Sequence, residues 1–430
     1  MELNANMIAG PSTSTEAMDL ENRHGAHNYH PLPVVLDRGK GVLVWDIEGK
    51  EYYDFLSAYS AVNQGHCHPA IVKAMVEQTE KLTLTSRAFY SSNLGKYEQF
   101  VTEYFGYDKV LPMNTGAEAV ETAIKIARKW AYDVKGVPAN AAKIITCSEN
   151  FHGRTTTIVS FSTDDVATGG FGPYTPGFEV IPYNDIDALR SAVADSNVAG
   201  FLVEPIQGEA GVNVPDDDYI RAAHKICMEA NVLFMADEVQ TGIARTGALL
   251  ATCGNCTCSG SCERQASFVK ADLLILGKAL SGGAYPVSAV LADEAIMSVI
   301  HPGQHGSTFG GNPVAAEVAI AALSVVRDED LALNARTLGA HFRDGIEDIA
   351  SECSLIKLVR GRGLLNAVII NDSPDSSTAW DLCVAMKDNG LLAKPTHGNI
   401  IRFAPPLVIT KEQLDDCLEI IRKTFKEFEK

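Results

Sequence analysis

Apolar and polar positions along this chain follow two different periods. Residues 41–55 alternate apolar and polar around Glu48-Gly49, which predicts a β-hairpin. Farther on, Ile71, Val72, Met75 and Val76 share one helical face, as do Leu94, Tyr97, Val101 and Tyr104. Short apolar runs bounded by turn residues then occupy 110–113, 143–147, 200–203, 232–236 and 272–276, with helical patterns over 117–134 and 219–230 between them. Uninterrupted apolar strands separated by helices predict an α/β fold whose mostly parallel sheet is covered on both faces. After Gly311-Asn312-Pro313 a long helical region runs to about Cys353. Two strands (355–360 and 364–370), a helix near 378–388, a strand at 400–403 and a last helix from Lys411 follow. This tail reads as a smaller α+β domain. The first 25 residues show no periodicity and read as a flexible polar arm. The expected division is an arm over 1–25, an N-terminal segment over 26–60 packing with the small domain, a large domain over 61–315 and a small one over 316–430.

Composition narrows the partners. A 430-residue chain with 46% hydrophobic and 21% charged residues is that of an ordinary globular protein, and its net charge of −18 would repel a phosphate backbone or an anionic membrane surface. No apolar run approaches the ~18 residues of a membrane span. The arm holds Glu2, Glu16, Asp19 and Glu21 against Arg23. It is neither Arg-rich like a transit peptide nor apolar like a secretory signal, so a cytoplasmic location is expected.

In an open α/β sheet, ligands bind beyond the carboxyl ends of the strands. Lys278 follows the apolar run 272–276 directly and stands between glycines. Either its stem packs while its amine reaches water, or the amine is desolvated, with a lowered pKa that suits Schiff-base chemistry. Asp237 and Glu238 end another run. They could bind a metal, act as acid and base, hold a cationic ring nitrogen, or sit in a surface turn; no histidine at ligand spacing favours the metal. Asn114-Thr115-Gly116-Ala117-Glu118 joins a strand to a helix and offers a cap or a backbone phosphate cradle. The loop from Gly306 to Pro313 places Ser307 and Thr308 between glycines, apt for phosphate or simply for a turn.

Taken together and in this order, these features resemble the pyridoxal-phosphate-dependent aminotransferases of the ornithine and ω-amino acid subgroup (class III, fold type I). MADEVQTGIART over 235–246, with LGKALSGG downstream, carries the resemblance, which runs from about Tyr29 to the last helix. It implies a large cofactor-binding domain and a specific set of roles. Lys278 would hold pyridoxal 5′-phosphate covalently and then shuttle the proton. Asp237 would pair with the protonated pyridine nitrogen, and Gln240 would hydrogen-bond the phenolic oxygen. Phe151, in Phe151-His152-Gly153-Arg154, would stack on the ring. Gly116 and Ala117 would hold the phosphate, and Thr308, with Ser307 beside it, would reach it from the other subunit of a homodimer.

The strings at 29–34 and 57–66 resemble the ornithine-acting members. That likeness implies L-ornithine and 2-oxoglutarate as substrates. Arg154 would bind the ornithine carboxylate, Tyr29 would assist at the α-amino end, and Tyr59 stands where relatives acting on other amines usually carry a different residue. Arg402 would take the α-carboxylate of 2-oxoglutarate, with Glu209 neutralising it during the ornithine half-reaction. Acetylornithine or 4-aminobutyrate is the alternative amine donor. Cysteines pose a separate question. Cys67, Cys147, Cys227, Cys353, Cys383 and Cys417 stand singly, as reduced core thiols would, whereas Cys253, Cys256, Cys258 and Cys262 crowd together in a stretch that departs from the family pattern. This insertion reads as an inert loop, a redox-sensitive pair or a metal knuckle, the last two pointing to a metal- or redox-binding module instead. The trio His66-Cys67-His68 has a metal-like look but is expected to be structural.

Overall fold

The computed structural model describes residues 10–253 and 269–429. The hairpin forms where the alternation placed it. β1 (Leu36–Lys40), β2 (Leu43–Asp46) and β3 (Glu51–Asp54) pair antiparallel in order. The large sheet comprises β4 (Lys109–Met113), β5 (Lys143–Cys147), β6 (Phe178–Ile181), β7 (Val198–Val203), β8 (Leu233–Asp237), β9 (Leu273–Leu276) and β10 (Ser288–Ala292). Its spatial order is β4-β10-β9-β8-β7-β5-β6, and β10 alone runs antiparallel to its neighbours. Every residue of β7, β8 and β9 is buried, the result expected of strands covered by helices on both faces.

The chain closes with β11 (Ile356–Arg362), β12 (Leu365–Ile370), β13 (Leu391–Leu392), β14 (Lys394–His397) and β15 (Ile400–Phe403). Four of these form the antiparallel sheet β11-β12-β15-β14, while β13 adds itself parallel to β3. The N-terminal hairpin is thereby stitched to the C-terminal elements. Phe55 extends the seam: its ring lies 6.1 Å from both Phe342 and Phe403, and its carbonyl accepts the Ala404 N–H at 2.7 Å.

Arg245 makes a second tie; it is fully buried and has no ion pair among the described residues. Its Nε and Nη2 donate to Asn63 Oδ1, and Nη1 donates to the Leu364 and Pro405 carbonyls at 2.9 and 2.6 Å. A single guanidinium therefore joins the N-terminal segment, the large sheet's loops and the C-terminal elements. Burial pulls its pKa down to about 9.

Three sequence expectations need correction. The N-terminal arm is helical over Ser14–His24, capped by the Thr13 side chain and with no buried residue. Its few apolar residues, Ala17, Met18 and Leu20, stay unburied, and its order comes from the cap and from Glu48, which accepts from Ser14 N and Oγ at 2.7 and 2.6 Å; neither leaves an apolar period to read. The long helical region is two helices, Pro313–Asp328 and Leu331–Glu352, broken at Asp330, whose φ of +50° is one that aspartate tolerates. Finally, Cys67 is exposed, while the other five single cysteines are buried. His66 and His68 beside it face Asp54 and Glu329 respectively, so the trio does not converge on one point.

Candidate active site

The carboxyl ends of β4, β5, β7, β8 and β9 meet along one edge of the sheet, and they carry the chemistry. At the end of β4, Thr115 caps helix Gly116–Trp130, and Glu118 completes a capping box. The N–H groups of Gly116 and Ala117 lie in the first turn, where a helix has no internal acceptor for them. A Cβ on Gly116 would meet Val239 at 2.9 Å, so close approach here requires glycine. Gly116 and Ala117 line a cavity of about 180 Å³ with Phe151, His152, Glu204, Asp237, Gln240 and Lys278.

Asp237 and Glu238 separate cleanly, because successive strand residues point to opposite faces. Asp237 enters the cavity, where its Oδ2 lies 2.6 Å from His152 Nδ1 and its Oδ1 accepts Val239 N–H. Glu238 faces away and accepts from Thr241 Oγ1, Ala251 N and Thr252 N. Its role is to anchor the chain leading to Cys253. Burial opposes charge on His152, but the Asp237 carboxylate outweighs it and holds the imidazole above its usual value.

His152 and Glu204 received no role from the sequence. Glu204 follows β7 at the strand end equivalent to Asp237, a topological signal that could have marked it. Its Oε1 accepts the Phe151 N–H at 2.8 Å and so positions the aromatic ring. Burial pushes the Glu204 carboxyl up to about 7 from its ordinary 4.5, His152 opposing and Asp237 adding. The folded chain thus keeps a proton that the unfolded chain loses, and stability declines as pH rises from about 4.5 through about 7. Glu204→Gln is expected to remove this decline: in denaturant titrations its stability relative to wild type should be higher at pH 8 than at pH 5. An equal difference at both pH values would show the carboxyl to be ionised throughout.

Lys278 follows β9 with a φ of +45°, a strained conformation for a non-glycine residue. Burial pulls its ammonium below the ordinary lysine range, Glu209 opposing and Arg402 reinforcing. No carboxylate among the described residues ion-pairs with it. The opposite wall is an ion pair: Arg402 Nη1 lies 2.6 Å from Glu209 Oε1, with Arg402 only 2% exposed. Burial raises the Glu209 carboxyl's pKa, but Arg402 and Lys278 outweigh this and hold it low. Arg402 Nε is buried without an acceptor among the described residues. Gln240 Nε2 also donates to Glu209 Oε1, at 3.0 Å, and to the Tyr59 carbonyl, at 3.3 Å. Gly208 makes room for this, since a Cβ there would sit 1.5 Å from Gln240 Oε1. Tyr59 presents its ring to Arg402, with the guanidinium carbon 5.4 Å from the centroid.

Other sequence-derived candidates lie at the rim. Phe151 is 37% exposed, and Arg154 stands 5.6 Å from its ring. Both line a second cavity of about 470 Å³ that also touches Glu149, Asp164, Asp165, Glu209 and His397. Tyr29 is 67% exposed and lies within electrostatic reach of Tyr59. Ser307 and Thr308 do not line either cavity of their own chain. Ser307 Oγ accepts from Asn114 Nδ2 at 2.9 Å, and Thr308 is exposed. Cys253 is buried, whereas Cys256, Cys258 and Cys262 lie outside the described residues. No cluster of potential metal ligands occurs among the described residues.

Pyridoxal 5′-phosphate fits this set. A helix N-terminus with free N–H groups and a glycine cradle suits its phosphate, Phe151 offers a ring face, and a buried carboxylate stands ready for a ring cation. Two buried polar atoms of the cavity, His152 Nε2 and Gln240 Oε1, have no hydrogen-bond partner among the described residues.

Comparison with known proteins agrees. The family model "Aminotransferase class-III" matches residues 24–425. The curated mitochondrial ornithine aminotransferase of Rattus norvegicus is 55% identical over 97% of this chain and 92% of its own length. Among solved structures, the ornithine aminotransferase of Toxoplasma gondii superposes with a TM-score of 0.92 at 49% identity, covering 97% of this chain and 96% of its own. The acetylornithine aminotransferase of Elizabethkingia anophelis is 61% identical, with a TM-score of 0.86 over 96% of this chain and 99% of its own. Its sheet, its strand-end residues and these likenesses make this chain a member of the class-III aminotransferase family.

Proposed function

We propose that this aminotransferase transfers the δ-amine of L-ornithine to 2-oxoglutarate, giving L-glutamate 5-semialdehyde and L-glutamate. The observation that carries the reading is the Glu209–Arg402 pair, held closed by Gln240 and faced by Tyr59, with Glu209 lining the same cavity as Lys278. Bound pyridoxal 5′-phosphate supplies an electron sink for the carbanion formed at the substrate carbon. The chain supplies the rest. Lys278 Nζ, desolvated and low in pKa, takes the proton from the δ-carbon and later returns one to the keto-acid carbon. Asp237, oriented by His152, keeps negative charge at the buried end of the cavity. With Glu209 on Arg402, the site presents no free cation to an α-carboxylate next to the reacting carbon. When 2-oxoglutarate arrives, Glu209 moves aside and Arg402 takes its carboxylate, because a buried guanidinium left unpaired costs several kcal/mol.

The remote end of ornithine, a carboxylate beside a free ammonium, suits the adjoining cavity. Arg154 stands there among Glu149, Asp164 and Asp165, and Tyr29 lies within electrostatic reach of Tyr59, whose ring faces Arg402. An N-acetyl group would place a neutral amide against those carboxylates. N-acetylornithine is the second reading, favoured by the 61% identity to the Elizabethkingia enzyme.

A homodimer is proposed as the working unit, Thr308 and Ser307 of each chain reaching its partner's phosphate site. The exposure of Thr308 with Phe309, Phe89 and Tyr90 supports this. The plan of arm, N-terminal segment, large and small domains at 25, 60 and 315 belongs to the same proposal, as does a cytoplasmic location. No helix among the described residues is long and apolar enough to cross a membrane, and the Rattus norvegicus relative is named mitochondrial. The holoenzyme incubated with L-ornithine and 2-oxoglutarate should yield the 5-semialdehyde and glutamate in equal amounts, read by mass spectrometry. Transfer of the α-amine instead, giving a 2-oxo acid from ornithine, would refute the assignment.

A further inference from the structure

Tyr59 sits on unusual backbone. Ser57, Ala58, Tyr59 and Ser60 have φ values of 49°, 47°, 59° and 69°, a left-handed turn built without a single glycine. L-residues disfavour this conformation, so neighbouring groups must enforce it. Asp54, at the end of β3, does so from below. Its Oδ1 accepts both the Leu56 and Ser57 N–H groups, at 2.8 and 2.9 Å, and its Oδ2 lies 2.8 Å from His66 Nε2. The carboxylate cannot drift, because Asp54 is in register with Leu392 of β13 and donates its own N–H to Val42 O. From above, Ser57 Oγ donates to Ala404 O at 2.6 Å, one residue beyond the strand that carries Arg402.

We propose that Asp54 is a positioning residue that sets amine specificity: by clamping the left-handed turn it holds Tyr59 over Arg402 and against Gln240, and so keeps the Glu209 gate closed. This rests on the gate reading given above. Remove the carboxylate, and the buried Ser57 N–H and the half-buried Leu56 N–H lose their acceptor. The turn then relaxes toward ordinary φ values, the Tyr59 carbonyl leaves Gln240, and its ring leaves Arg402. Asp54 lines neither of the two cavities, so its loss should fall on the half-reaction that needs the closed gate and spare the one that opens it.

The test follows both half-reactions of the holoenzyme separately, by the absorbance of the bound cofactor, with L-ornithine and with L-glutamate. Asp54→Ala should lower kcat/KM for L-ornithine about tenfold or more, chiefly through KM, and change that for L-glutamate less than about threefold. Asp54→Asn, which keeps an oxygen for the two N–H groups, should restore most of the ornithine rate. Equal losses in both half-reactions, no loss in either, or failure of asparagine to rescue would overturn the proposal. Should Asp54→Ala not fold, Ser57→Ala removes the upper tether and should shift the same ratio in the same direction; an unchanged ratio contradicts the clamp. If wild-type enzyme prefers N-acetyl-L-ornithine, the functional reading fails separately, and the ratio is then measured with that terminal amine.

Discussion

Replacing Lys278 by alanine is expected to reduce turnover by about 10³- to 10⁴-fold or more. Three structural facts converge on this size. The residue leaves β9 at the sheet's functional edge with a strained φ of +45°. Its amine is desolvated enough to fall below the ordinary lysine range. His152 and Glu209, which share the cavity, are engaged with Asp237 and Arg402, and Glu204 is held by the Phe151 N–H. Lys278→Arg, which keeps the charge but not a neutral amine, should be about as inactive. If the lysine served only to pack its stem, arginine would retain most of the activity. Retained wild-type turnover in the alanine variant would remove the mechanism altogether. Borohydride treatment provides a second readout, fixing the cofactor to the wild-type chain and not to either variant.

The second large effect is at Asp237. Asp237→Asn preserves shape and removes the charge, so the protonated ring nitrogen would face an amide in a buried cavity. Leaving a buried cation without its partner costs about 3–5 kcal/mol, which corresponds to a fall in kcat of about 10²- to 10⁴-fold. His152 gives an independent signature. Because the Asp237 carboxylate is what holds the His152 imidazole high, its pKa should drop in the variant, visible by NMR of the ring protons. A kcat within tenfold of wild type would show that the charge is not what the reaction uses.

Much of the fold was legible because it rests on period and burial. β5, the helix Thr378–Asp388 and β15 fall on the boundaries read from apolar runs. The left-handed turn at Ser57–Ser60 was not, since no glycine or asparagine in it marks positive φ and its cause, Asp54, acts through tertiary geometry. The same holds for Arg245. It stands inside the most specific string of the chain, but its partners Asn63, Leu364 and Pro405 are distant in sequence. Of the site, strand-end position alone singled out Lys278 and the Asp237-Glu238 pair. Which of the two acids faces the cavity needed the pleat, and the pairing of His152 with Asp237 needed β5 and β8 brought together around β7. The gate residues Glu209 and Arg402 came from resemblance, as nothing local marks an arginine in a β-strand as a substrate group. The cysteine insertion stays where the sequence left it, with three of its four thiols outside the described residues.

The pocket is proposed to select a free ornithine. The most direct measurement is kcat/KM for L-ornithine, N-acetyl-L-ornithine and 4-aminobutyrate with 2-oxoglutarate, on the same holoenzyme preparation. The geometry of Tyr59, Glu209 and Arg154 leads us to expect L-ornithine to exceed both others by at least about tenfold. A higher value for N-acetyl-L-ornithine or 4-aminobutyrate would contradict it.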